Sequence, residues 1–314
     1  GANTGGLEWT VQPLKLNNVT INATNTVTGA NAASTIAGTL TVAANAILAQ
    51  GANVYTLSGD AKTHSILGSV TGGTLTVTGS GSQVNGTTST VAGNTATVNS
   101  LAFEPAANSA SFSSSNLKVI SGDLTLQGTS TKTGANATVI MNPTTSTLTG
   151  DVLVGNGTLG PNAVVTVAGT TTSVLGGDVT LTDGTLTLTR GGNSTVVGGA
   201  VTLTKGVLTL GSNVTVTGAT TQAAGNLALG GNTYTQLGSA ADPDFNRTGA
   251  GTVTNGTVAF DASAAPITVT VGATLVLPSV TFNGTANSVT FDNSFEISGS
   301  AIFDNAATVA MTAG

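Results

Sequence analysis

The chain has 314 residues, no cysteine and a net charge of −6, and only 6% of it is charged, against roughly 25% in ordinary soluble domains. Disulfides and thiolate metal sites are therefore excluded, no basic patch offers itself to nucleic acid, and no apolar run approaches the roughly 20 residues of a membrane helix. Glycine reaches 43 residues, yet 39% of the chain is apolar and falls at strand spacing, so the composition indicates an ordered all-β chain rather than a disordered one.

The chain opens at Gly1 without an initiator Met, as expected of a segment of a longer exported precursor. Residues 1–22 differ from the rest of the chain: they hold the only Trp, Trp9, and the alternating apolar residues Leu14, Leu16, Val19 and Ile21. They read as an N-terminal cap or as a strand exchanged with a neighbouring molecule, because an open solenoid end exposes core and backbone alike. Residues 23–314 read as one elongated β-solenoid, irregular over 23–121, regular over 122–240 and Phe-rich over 250–314.

In the irregular part, Gly38-Thr39-Leu40-Thr41-Val42 returns as Gly73-Thr74-Leu75-Thr76-Val77, a spacing of 35. The lone His64 lies in the polar stretch Ala61–Ser65 and is expected at the surface. The regular part is plainer. Gly177-Asp178-Val179-Thr180-Leu181-Thr182 recurs as Gly199-Ala200-Val201-Thr202-Leu203-Thr204 after 22 residues. Single-glycine turns then lead to Thr185–Leu188 and Val207–Leu210. The two-residue alternation places Val179, Leu181, Val201, Leu203, Leu208 and Leu210 inward and Thr180, Thr202 and Thr209 outward. Repeats of about 20–24 residues with two or three short strands are the coils of a β-solenoid.

Gly206-Val207-Leu208-Thr209-Leu210 followed by Gly211-Ser212-Asn213-Val214-Thr215-Val216, and Gly225–Thr235 after it, resemble the autotransporter-associated β-strand repeat over roughly residues 120–240. The resemblance implies a right-handed parallel β-helix in a secreted, passenger-like bacterial surface protein. Beyond it, Asp242–Arg247 reads as the most polar loop. Five of the eight Phe then fall between Phe260 and Phe303, and Phe282, Phe291 and Phe303 suggest one stacked ladder.

Chemistry-bearing motifs are scarce. Gly155-Asn156-Gly157-Thr158-Leu159-Gly160 matches GxGxxG, but Pro161 and strand sequence follow where a phosphate-binding helix would have to start. Asp242 and Asp244, with Asp261 in reserve, are weak calcium candidates through their hard oxygens. No acid–base pair or nucleophile assembles, so neither an enzyme nor a cofactor is expected. Ten N-x-S/T sequons occur, each also explained by Asn turns running into Thr strands. The leading expectation is a structural protein of the extracellular space or cell surface. It would polymerise with itself head to tail, with Trp9, Leu14, Leu16, Val19 and Ile21 completing the sheet of a neighbour near 280–314. An adhesin or stalk binding surface glycans is the alternative, and an ice-binding face of Thr-x-Thr strands comes after it.

Overall fold

The structure is a computed structural model. It describes residues 15–22, 26–29, 33–79, 82–86, 173–182, 184–190, 194–239, 244–272, 274–284, 287–305 and 308–312. Between 97 and 169 it describes the strand backbones 97–103, 111–114, 119–120, 124–126, 137–141, 147–148, 152–154 and 163–169. The described residues contain strands and turns but no helix, and every pairing is parallel between one coil and the next, so the chain is a β-solenoid. Side chains are described for about nine of its turns.

Each coil carries three strands, one per face. Val201–Leu203, Val207–Leu210 and Val214–Val216 form one coil, and Thr220–Gln222, Asn226–Ala228 and Thr233–Leu237 the next. Their pairing is in register: Val201 opposes Thr220, Leu208 opposes Leu227 and Val214 opposes Tyr234. On the first face the same line runs back through Leu181, Val154, Leu126 and Phe103 to Val77, Leu57, Ile36 and Leu16. The first and third faces join into one 24-stranded sheet, because Ile47–Leu57, Ser69–Val77 and Thr97–Phe103 run round the corner between them. The second face forms an 11-stranded sheet ending at Val253–Thr254, followed by a separate pair, Leu275–Leu277 with Phe295–Ile297.

The repeat explains the shape. Val179, Leu181, Leu186, Leu188, Val201, Leu203, Leu208 and Leu210 are all buried, and Thr180, Thr202 and Thr209 lie on the outer side, half-buried. Gly184 and Gly206 take positive φ (87° and 70°), the left-handed turn that lets the second strand start at once. Polar turn residues stitch successive coils together: Asp178 accepts from Ala200 N–H at 2.8 Å, Asn213 from Thr233 N–H at 2.9 Å and Asn18 from Thr39 N–H at 2.8 Å. Rather than serving its own turn, the Asn213 side chain thus reaches forward one coil.

Three sequence expectations change. Within the segment read as a cap or exchanged strand, Leu16, Val19 and Ile21 sit in the first coil, opposite Ile36, Leu40 and Val42 of the same chain, because their alternation matches that of the next coil. Trp9 and Leu14 lie outside the described residues. His64 is not at the surface but fully buried, since Thr63–Ile66 is a strand and His64 takes an inward position. Asp242–Arg247 is not all loop: Phe245–Arg247 is a strand with Phe245 and Arg247 both inward. The Phe ladder is one stack with side partners. Phe260, Phe282 and Phe303 stack along the third face at 6.0 and 5.1 Å, while Phe291 meets Phe260 and Phe282 edge-on from the first face.

Candidate functional site

The inward positions are apolar in most coils, but the coils between 220 and 251 interrupt this with a polar inclusion. Thr220, Gln222, Gln236, Asp244 and Arg247 are all buried there beside the fully buried Tyr234. Alternation turns Thr220, Gln222, Tyr234, Gln236 and Arg247 inward, while Asp244 precedes its strand, and parallel register stacks Gln222 on Leu203 and Arg247 on Gln222.

Two networks satisfy these groups. In the first, the Thr220 hydroxyl donates to Gln236 Oε1 at 2.6 Å, so the Tyr234 hydroxyl, 2.7 Å away, must donate to Thr220. Gln236 Nε2 then donates to the carbonyls of Gly218 and Leu237 at 2.8 and 3.0 Å. Burial raises the Tyr234 phenol above its ordinary value, against the opposing effect of the Thr220 hydrogen bond, and so keeps it a donor. In the second network, Gln222 Nε2 donates to the carbonyls of Gly225 and Thr252 at 2.8 and 2.9 Å. Its Oε1 accepts from Arg247 Nη1 at 3.0 Å, and Arg247 Nη2 donates to the carbonyl of Gly251. Arg247 Nε is buried and has no partner. Burial lowers the Arg247 pKa, but a guanidinium remains charged at neutral pH.

Among the described strands, this inclusion lies where the second face parts. Val253–Thr254 and Leu275–Leu277 are successive strands of that face but belong to different sheets. A cavity of about 520 Å³ opens between them, lined by Arg247, Gly251, Thr252, Thr254, Thr274 and Val276 among others. The threonines and Val276 are exposed, while Arg247 and Gly251 form a buried floor.

Of the candidate calcium residues, Asp244 and Asp261 are described. Asp242 lies outside the described residues. Asp244 Oδ1 accepts from Ser239 N–H and Oγ at 2.9 and 2.7 Å and its Oδ2 from Thr268 N–H at 3.0 Å, the pattern of a turn carboxylate already occupied by protein donors. Asp261 Oδ1 accepts from Ser263 N–H at 3.0 Å. Among the described residues no three His, Cys, Asp or Glu side chains are grouped closely enough to hold a metal ion.

A second buried base lies far from the notch. His64 Nδ1 accepts from Leu40 N–H at 3.1 Å, which fixes the ring as neutral with its proton on Nε2. Burial, with a smaller contribution from Lys62, holds its pKa down to about 4.

Sequence reasoning missed Gln222, Gln236, Tyr234 and Arg247 as a group. Aligning the repeats by strand start would have shown them, since Gln222 and Gln236 occupy the inward positions of Leu203 and Val216 one coil earlier. No protein-family model, curated protein or solved structure matches the chain.

Proposed function

We propose that the chain is a structural solenoid of an extracellular or cell-surface assembly, stacked end to end on copies of itself. The observation that carries this reading is the last described coil. Phe303 continues the inward stack on Phe282, yet it is 63% exposed, and Ile302 and Met311 are 55% and 51% exposed. An apolar rung with open backbone N–H and C=O groups takes another rung of the same kind, and the first coil holds Leu16, Val19 and Ile21 in the same inward register, with Val19 and Ile21 buried. Joining unlike ends is a heterologous contact, which propagates into a filament. The sparse charge, the Thr- and Asn-rich outer faces and the resemblance to passenger-like surface proteins support the same reading.

The test is sedimentation of the purified chain over a concentration series, beside Phe303→Asp and Ile302→Asp, both at exposed positions of the last described coil. The parent should form species that grow with concentration, and each variant should stay small while keeping its β-sheet circular dichroism. A parent that remains monomeric at high concentration, or folded variants that assemble like it, would refute the proposal.

A further inference from the structure

Among the residues whose side chains are described, Arg247 is the only buried lysine or arginine. It is 5% exposed, its two satisfied N–H groups face neutral oxygens of Gln222 and Gly251, and Nε has no partner. No described carboxylate lies within 4.0 Å of it. Asp244, three residues away, turns both its oxygens to Ser239 and Thr268. An unpaired buried charge is costly. Here the cost falls where the second face parts, and Arg247 is among the residues lining the resulting cavity of about 520 Å³. That volume is in the range of small-molecule sites.

We propose that this notch binds a small organic carboxylate with an apolar body, whose carboxylate pairs with Arg247. A planar guanidinium matches a carboxylate, and beyond the N–H groups given to Gln222 and Gly251 the side chain keeps one further N–H on each of Nη1 and Nη2 besides the unpartnered Nε. The walls favour a monoanion over a phosphate: Val253, Val276 and Ala250 offer apolar contact, and among the described lining residues Arg247 is the sole cation. Gln222 fixes the guanidinium from behind through the carbonyls of Gly225 and Thr252, so Gln222 is a positioning residue.

The experiment titrates the full chain with benzoate and with benzamide, its neutral isostere, following NMR shifts of the Arg247 side chain and heat. Benzoate should bind saturably, and benzamide about 10–100-fold more weakly, the factor expected of a charge-assisted hydrogen bond. Arg247→Met should abolish benzoate binding in a chain that still folds, as read by its circular dichroism. Val276→Trp, at a position 37% exposed on the cavity wall, should block binding by filling the notch while leaving Arg247 in place. Should Arg247→Met not fold, Val276→Trp alone decides. Equal binding of acid and amide, no saturable benzoate binding at all, or unimpaired benzoate binding by Val276→Trp or by a folded Arg247→Met would each overturn the proposal.

Discussion

Two neighbouring coils make a controlled comparison. The coil from Val201 to Val216 turns Val201, Leu203, Val214 and Val216 inward, and the next turns Thr220, Gln222, Tyr234 and Gln236 into the same four positions. Both have three strands, and their pairing is unbroken. The coil's path is therefore set by alternation and turn chemistry rather than by the apolarity of every inward side chain. What differs is the source of stability. The first coil gains from burying apolar area, while the second holds its polar groups in hydrogen bonds that cross from strand to strand and coil to coil. In the coil after it, Arg247 Nε has no partner, and Arg247 lies where the second face opens.

The comparison breaks most sharply at Leu203. Leu203→Asp places an unpaired carboxylate between Leu181 and Gln222 and should cost about 4 kcal/mol or more, whereas the outward Thr202→Asp should cost about 0.5 kcal/mol or less. Urea titrations of both variants read this difference, and equal effects would contradict the assigned alternation. In the polar coil, Gln222→Ala strips Gly225 and Thr252 of their donor and Arg247 Nη1 of its acceptor, a loss of about 3 kcal/mol. The double variant Gln222→Leu, Arg247→Leu removes the buried charge as well and should recover most of that loss. A double variant no more stable than Gln222→Ala would mean that the network contributes more than the charge costs.

His64 gives a third, pH-dependent contrast. Its pKa is lowered from 6.5 to about 4 in the fold, so the unfolded chain takes up the proton first. Its contribution is therefore fully present above pH 6.5 and is lost as pH falls towards 4, by about 3 kcal/mol in all. Denaturant midpoints of the parent and His64→Leu, compared between pH 7 and 4.5, should diverge through this window, because the carboxylates common to both cancel. Parallel pH profiles would show that His64 is not held neutral.

The repeats themselves decide how much of this was legible in the sequence. Val179 to Leu210 announced the solenoid because two coils repeat the same phrase and period-two alternation survives in each strand. The turn glycines at 184 and 206 were legible for the same reason. His64 and Arg247 were misplaced because a polar residue at an inward position looks like a turn when its strand has only three or four residues. Only alignment to the neighbouring coil restores the parity, and the coil lengths vary. The notch had no sequence signal: Val253–Thr254 and Leu275–Leu277 each look like ordinary strands of the second face, and only their failure to pair opens it.

The proposed assembly would repeat between chains the stacking of one coil on the next that holds within the chain. Cryo-electron microscopy of the assembled protein tests this most directly. The account predicts unbranched filaments in which the inter-strand spacing of about 4.8 Å runs without interruption across each subunit junction, with Phe303 packed beneath the coil holding Val19 and Ile21. Isolated rods at every concentration, or filaments whose subunits meet side by side with that apolar rung still open to solvent, would contradict it.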